Sequence, residues 1–189
     1  MKVVLASGSP RRKELLEMLG LEFEICPAKG EERVEPDLSP EEIVKSLSRA
    51  KAREVAVAYP RGTAVIAADT IVWAEGEVLG KPVDRADAVR MLKMLSGRSH
   101  SVFTGVCVIC DDVTVSCAEE TEVCFRSLSD REIEAYVETG EPMDKAGAYG
   151  IQGKASVLIE GIKGDYFNVM GLPLCRLGEI LKTIGVRLL

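Results

Sequence analysis

Histidine is nearly absent from this chain of 189 residues, which contains only His100. With no second histidine, histidine-based zinc sites and Ser-His-Asp triads are poor candidates. If the chain catalyses a hydrolysis, carboxylates or a metal ion must activate the water. The glycine patterns of Walker A loops and of Rossmann dinucleotide-binding loops are also missing.

Long apolar runs are missing as well, since no run approaches the roughly 18 residues that a membrane span needs. The first apolar stretch is too short to be the core of a secretory signal, so we expect a cytoplasmic protein. Acidic residues outnumber basic ones by 30 to 24, which gives a net charge of −6. Such a surface attracts neither nucleic acid nor an anionic membrane, so a basic site, if present, must be local.

The composition otherwise suits one folded unit, because 47% of the residues are hydrophobic and no repeat or linker interrupts the chain. We expect a single domain over residues 1–189 with two lobes. Cys107 and Cys110 form a C-x-x-C inside an apolar run. Three positions apart on a strand, they point to opposite faces, which is unsuited to chelation. We interpret Cys107 and Cys110 as small buried hydrophobic residues.

The chain begins with a strand, a tight loop and the start of a helix. Apolar residues 3–6 predict a buried strand, and Ser9-Pro10 is typical of a helix N-cap followed by proline. Arg11 and Arg12 then lie in the first helical turn, where the helix dipole disfavours positive charge. Either this turn binds a phosphate together with the Ser7 and Ser9 hydroxyls, or it is a basic turn on the surface.

The rest of the chain alternates between strand and helix patterns. Helices are predicted at about 10–19, 40–59, 84–95, 129–140 and 172–184, and strands at 21–25, 63–68, 71–73, 100–110, 113–125, 157–159 and 166–169. Residues 75–77 predict a hairpin turn, and Thr104-Gly105 predicts a bulge or a close backbone approach.

Three ionisable residues in these elements lack a simple structural explanation. Asp69 interrupts an apolar run typical of a central strand, so it either caps a turn or faces a cleft with cations, which we favour. Lys51 lies among alanines and either reaches inward or extends along the surface. Lys81 lies between glycine and proline, and it is either an ordinary loop residue or a cation held in a fixed position.

Two loops add further polar groups. Glu31 and Glu32 are adjacent in a charged connector, which by itself suggests only a solvated loop. Residues 144–153 contain three glycines, which suggests that their backbone approaches a ligand closely. Gln152 in this segment has an amide that donates and accepts hydrogen bonds, as a nucleobase edge requires.

Together these residues form a set of four cations and two carboxylates. Such a set suits a polyphosphate and a divalent metal, because the cations balance the triphosphate and carboxylate oxygens suit Mg²⁺ or Mn²⁺. The cations are Arg11, Arg12, Lys51 and Lys81, and the carboxylates are Glu32 and Asp69.

The sequence resembles the Maf family nearly from end to end. The resemblance rests on the segments ASGSPRR at 6–12, AADT at 67–70, GKP at 80–82, DKAGAYGIQG at 144–153 and GLP at 171–173. It implies an α/β fold with a mixed central β-sheet flanked by helices, two lobes and a central cleft, similar to inosine-triphosphate pyrophosphatases. It also implies a nucleoside triphosphate pyrophosphatase, thought to clear nucleotide pools and linked with septum formation.

The resemblance also implies roles for individual residues. Asp69 matches the catalytic proton acceptor, and Arg12, Thr70 and Gln152 match positions associated with substrate choice in the branch that acts on dTTP and UTP. The glutamate that faces the metal is Glu31 or Glu32, and we place it at Glu32 with Asp69 as the second ligand. Relatives usually have an aspartate before this glutamate.

The expected reaction is attack of water on the α-phosphate, which releases a monophosphate and pyrophosphate. We expect Asp69 to activate the water, and Arg11, Lys51 and Lys81 to stabilise charge on the phosphates. Two alternatives remain: a pyrophosphatase for purine or 7-methyl-GTP substrates, and a nucleotide-binding regulator of septum formation. The expected partner is a nucleoside triphosphate, with a homodimer left open.

Overall fold

The computed structural model describes residues 1–30 and 37–189. The strands in these ranges are β1 (Lys2–Leu5), β2 (Glu24–Ile25), β3 (Thr63–Ala74), β4 (Glu77–Leu79), β5 (Ser99–Cys110), β6 (Val113–Phe125) and β7 (Ile159–Lys163). They form one seven-stranded sheet in the order β2-β1-β3-β5-β6-β7, and β4 pairs with β3.

The described helices are α1 (Pro10–Glu17), α2 (Pro40–Ala56), α3 (Arg85–Leu95), α4 (Asp130–Glu138), α5 (Tyr166–Met170) and α6 (Leu174–Thr183). Short 3₁₀ helices cover Glu141–Asp144, Ala146–Ala148 and Gly153–Val157. Ser39 and Ser129 form capping boxes at the starts of α2 and α4. The predicted mixed sheet flanked by helices is therefore confirmed.

The sheet mixes parallel and antiparallel pairs. β1 runs parallel to both β2 and β3, with Leu5 opposite Ile66. β3 and β4 form an antiparallel hairpin in which Ala74 pairs with Glu77, as the turn at 75–77 predicts. β1 and the first half of β3 are almost wholly buried, as continuous apolar runs predict for strands covered on both faces.

The chain divides into two compact units. Unit 1 contains Met1–Asp69, Thr104–Glu119 and Gly171–Leu189, and unit 2 contains Thr70–Phe103 and Glu120–Met170. Each has its own hydrophobic cluster. The cluster in unit 1 includes Val4, Ala52, Val55, Val65 and Cys107, and the cluster in unit 2 includes Leu79, Leu92, Phe125, Ile133 and Tyr149.

Helix α2 packs very closely against β5 in unit 1. A Cβ atom added at Gly105 would overlap the backbone carbonyl of Val44, so only glycine fits without a movement of the helix. The predicted close backbone approach at Thr104-Gly105 is thus confirmed. This contact determines how near α2, the helix that carries Lys51, lies to the sheet.

One predicted strand is wrong, because residues 166–169 belong to helix α5. Their aromatic and β-branched side chains favour a strand, but Asp165 accepts a hydrogen bond from the Phe167 amide at 2.7 Å and so starts a helical turn. The buried Asn168 side chain donates to the carbonyl of Val102 and to the Thr121 hydroxyl, both at 3.0 Å. Tertiary hydrogen bonds therefore override strand propensity here.

Other boundaries differ from the prediction by a few residues. β3 does not break at Asp69 but continues to Ala74. Val157 ends a 3₁₀ helix, and the last strand is displaced to Ile159–Lys163. None of the helices in residues 1–30 and 37–189 is long and apolar enough to cross a membrane. Cys107 and Cys110 are buried free thiols, as predicted.

Candidate active site

The loop between β1 and α1 positions the serines and arginines of residues 7–12. Ser9 is the N-cap of α1, where its hydroxyl oxygen accepts a hydrogen bond from the Arg12 amide, and Pro10 follows it as predicted. The Ser7 hydroxyl oxygen accepts from the Ser9 amide at 3.3 Å. Both oxygens accept within the loop, so each hydroxyl proton is left to donate to a ligand.

The Arg12 guanidinium is held in two places. Its Nε donates to the carbonyl of Gly171 at 2.8 Å, and its Nη1 donates to the Ser7 hydroxyl at 3.2 Å. No acidic residue lies in the first turn of α1, so the cations there have no carboxylate within the turn. A guanidinium fixed at a helix N-terminus suits an anion such as phosphate.

Asp69 lies in the middle of β3 and is only 6% exposed. The Lys51 ammonium of helix α2 donates a hydrogen bond to its Oδ1 atom. Lys51 therefore reaches inward rather than along the surface. Burying a carboxylate without a counter-charge costs several kcal/mol, roughly, so Lys51 compensates much of that penalty.

Within unit 1, parallel pairing aligns the carboxyl-terminal edge at which β1 ends with Ile66 in the first half of β3. The Ala6 amide donates to the carbonyl of Ile66 at 2.7 Å, so the loop that follows β1 begins beside the stretch that leads to Asp69. Asp69 is three residues beyond Ile66, about 10 Å along the strand. In α/β sheets this edge is where ligands bind.

Three other predicted site residues belong to unit 2. Thr70 is half-buried in β3, whereas Lys81 and Gln152 are exposed in loops. The loops are connected through Gly147, whose amide donates to the carbonyl of Gly80 at 3.0 Å. This hydrogen bond joins the glycine-rich segment to the segment that carries Lys81.

Glu141 holds the chain directly after Gln152. Its carboxylate accepts hydrogen bonds from the backbone amides of Lys154 at 3.2 Å and Ala155 at 3.5 Å, and from the Tyr136 hydroxyl at 3.0 Å. A Cβ atom on Gly153 would lie 3.0 Å from these carboxylate oxygens, and Gly153 has a left-handed φ of 75°. Glycine at this position therefore lets the backbone pass close to Glu141.

A groove in the described part of the chain lies elsewhere. It has a volume of about 550 Å³ and runs along α2 beside Lys45, Arg49, Arg53 and Ser116. None of the predicted site residues lines it. Its carboxylate, Glu42, is engaged in the capping box of α2.

The predicted metal ligands are only partly described. Glu31 and Glu32 lie outside the described residues. Within residues 1–30 and 37–189, no group of three His, Cys, Asp or Glu side chains is arranged to hold a metal ion. Asp69 alone still fits Mg²⁺, because this ion is often bound by one or two carboxylates together with substrate phosphates.

Comparison with known proteins places the chain in a family. A family profile described as "Maf-like protein" matches residues 2–184. The chain belongs to the Maf family. A relative from Symbiobacterium thermophilum named dTTP/UTP pyrophosphatase is 55% identical, over 97% of this chain and 94% of the relative. A relative of the same name from Bacillus cereus strain AH187 is 50% identical, over 98% and 96%.

A solved structure resembles this Maf-family chain in fold. A HAM1 protein from Coxiella burnetii superposes with a TM-score of 0.54 at 18% identity, over 97% of this chain and 99% of that one. This likeness supports the mixed α/β architecture and nothing finer.

Sequence reasoning on this Maf-family chain missed Glu141. No local pattern indicates that a carboxylate will accept amide hydrogen bonds from residues 13 and 14 positions later. His100 was considered only as a metal ligand or triad member. In the structure its Nε2 lies 2.7 Å from the hydroxyl of Tyr149, in the segment that carries Gln152.

Proposed function

We propose that this chain hydrolyses the α–β phosphoanhydride bond of dTTP and UTP, yielding the nucleoside monophosphate and pyrophosphate. The observation that carries the proposal is the buried Lys51–Asp69 pair beside the loop of residues 7–12. The loop of residues 7–12 follows β1, and Asp69 lies within the adjacent parallel strand β3. The substrate assignment rests on relatives that are 50–55% identical to the chain and are named dTTP/UTP pyrophosphatase.

The phosphates bind at the N-terminus of α1. The Ser7 and Ser9 hydroxyls and the α1 amides donate to phosphate oxygens, and Arg11 and Arg12 supply positive charge. Arg12 is already oriented by Gly171 and Ser7. Charge that develops on the pyrophosphate leaving group is stabilised by these cations and by Lys81.

Asp69 activates the attacking water. A carboxylate accepts a proton from water well when it is fixed and largely shielded from solvent, as Asp69 is. Lys51 orients this carboxylate through its hydrogen bond and adds positive charge next to the reacting phosphate.

A divalent cation, Mg²⁺ or Mn²⁺, is the expected cofactor. Asp69 and Glu32 would hold it together with substrate phosphates, and it would polarise the α-phosphate and neutralise negative charge. Gln152 and Thr70 recognise the pyrimidine base, since an exposed amide can pair with its polar edge. We expect this reaction in the cytoplasm.

A pyrophosphate-release panel tests the proposal. With Mg²⁺ or Mn²⁺, turnover of dTTP and UTP should exceed that of dCTP, ITP and 7-methyl-GTP by about tenfold or more. A preference for ITP or 7-methyl-GTP, or no release from any substrate, would overturn it.

The role of Asp69 is tested separately. Asp69→Asn should fold normally and lose about a thousandfold in kcat, because the amide cannot accept the proton. The matched control is Asp112→Asn, in an exposed turn where the carboxylate pairs with Arg61 at 2.7 Å. Near-normal turnover of Asp69→Asn would remove Asp69 from the role of base.

A further inference from the structure

The segment that carries Gln152 is built from turns rather than from a long helix or strand. Residues 141–157 form three short 3₁₀ helices, and Gly147 and Ala148 both have left-handed φ values, of 68° and 59°. Such a segment has few backbone hydrogen bonds of its own to hold it in one conformation. Its position must therefore come from contacts with the rest of unit 2.

Tyr149 provides one of these contacts. Its ring is 5% exposed and packs edge-on against Phe125 of β6 and His100 of β5, with centroids 4.8 and 5.3 Å away. Its hydroxyl forms a 2.7 Å hydrogen bond with His100 Nε2. Tyr149 precedes the exposed Gln152 by three residues, so the position of its ring limits where the Gln152 amide can lie.

His100 is a polar residue at a buried position of the core. It is 5% exposed, and its Nδ1 atom is buried without a hydrogen-bond partner among the described residues. A buried polar atom without a partner costs about 1–3 kcal/mol, which a leucine or phenylalanine at the same place would avoid. Stability alone therefore does not explain a histidine at position 100. The hydrogen bond between its Nε2 atom and the Tyr149 hydroxyl explains it better.

We propose that His100 is a positioning residue, which through Tyr149 fixes the loop that presents Gln152 to the base of the substrate. The inference rests on the proposed function, because it takes Gln152 as the group that recognises the base. Burial lowers the pKa of His100 to about 4, so its ring is neutral at pH 7 and forms one hydrogen bond with the neutral phenol. On the other side of Gln152, Glu141 restrains the chain by accepting hydrogen bonds from the backbone amides of Lys154 and Ala155.

The test compares binding of the whole substrate with binding of a ligand that has no base. In His100→Leu and in Tyr149→Phe, the KM for dTTP should rise about tenfold, the effect of one lost buried hydrogen bond. The inhibition constant of pyrophosphate, which contacts only the phosphate end, should stay within about twofold of the original value.

Two further variants separate positioning from a general loss of structure. His100→Leu combined with Tyr149→Phe should raise KM no more than either single change, because both remove the same interaction. His100→Gln should restore part of the affinity, since its amide can still bond to the Tyr149 hydroxyl. Ile133→Val, in the same hydrophobic cluster, is the matched control for packing and should leave KM unchanged.

The outcomes distinguish the two proposals. If the unmodified chain releases no pyrophosphate from dTTP or UTP, the proposed function fails. If it is active, three results would each overturn the positioning role of His100. The variants could keep an unchanged KM for dTTP, or the inhibition constant of pyrophosphate could rise in parallel with KM. The double variant could also raise KM by the combined effect of the two single changes. Tyr149→Phe keeps the ring and its packing, so a folding failure of His100→Leu still leaves a decisive measurement.

Discussion

At the scale of single residues, burial makes Asp69 dependent on its counter-charge. The carboxylate lies in a strand whose other residues from Ala64 to Ala68 are wholly or almost wholly buried apolar groups. Such an interior strengthens electrostatic attraction and penalises a missing partner. Lys51 therefore stabilises the fold, and mutations can separate this effect from the role in the reaction that we propose for it.

Lys51→Met should lower the free energy of unfolding by about 3 kcal/mol, because the buried Asp69 carboxylate loses its ammonium. Lys51→Met combined with Asp69→Asn should regain most of that stability, since no buried charge is left, but should have no activity. Urea unfolding with a parallel activity assay measures both effects. A double variant no more stable than Lys51→Met would show that charge burial is not the cause.

At the scale of elements, the glycine-rich segment is held to its surroundings at Gly147. A Cβ atom added there would lie 2.8 Å from a methyl group of Val72 in β3, and its amide already bonds to Gly80. One small residue thus joins the segment that bears Gln152 to both β3 and the loop of Lys81.

Gly147→Ala should lower the free energy of unfolding by about 1–2 kcal/mol, because the left-handed φ of this position is unfavourable for a residue with a Cβ atom. The KM for dTTP should rise as well, since the segment must move away from Val72. Gly161→Ala is the matched control, because no atom lies within 4 Å of its Cβ position and its φ is not left-handed. Equal effects in steady-state kinetics from both variants would contradict this account of Gly147.

At the scale of the whole molecule, His100 makes stability depend on pH. Burial lowers its pKa to about 4, whereas an unfolded histidine takes up a proton near 6.5. Between these values the unfolded chain binds more protons, so stability is complete above pH 6.5 and falls as the pH decreases towards 4.

We expect the contribution of His100 to fall by about 2 kcal/mol between pH 7 and pH 5, at roughly 1.4 kcal/mol per pKa unit. Urea unfolding at the two pH values measures the loss. His100→Leu is the reference, because it keeps every carboxylate that titrates in the same range. An identical pH dependence in the two proteins would show that folding does not lower the pKa of His100.

The sequence predicted the elements well wherever local signals agree. Continuous apolar runs located β1 and β3, and Ser-Pro pairs located the starts of α1 and α2. It failed at Tyr166–Met170, where hydrogen bonds from Asn168 to distant residues outweigh strand propensity.

The site was harder to predict than the elements. The sequence indicated that Asp69 needs a cation, but only the packing of α2 on the sheet shows that Lys51 is one, 18 residues away. Glu141 and Tyr149 act through contacts that no local pattern encodes. The proposed roles of the site residues remain predictions, namely those of Ser7, Ser9, Arg11, Arg12, Glu32, Lys51, Asp69, Thr70, Lys81 and Gln152.

The double anchorage of Arg12 has a thermodynamic consequence. A free arginine side chain on a surface loses roughly 2 kcal/mol of rotational freedom when a ligand immobilises it. Here Gly171 and Ser7 restrict the guanidinium before any ligand arrives. In calorimetry, Ser7→Ala should therefore weaken pyrophosphate binding through a less favourable entropy, in addition to the enthalpy lost with the hydrogen bond that the Ser7 hydroxyl donates to a phosphate oxygen.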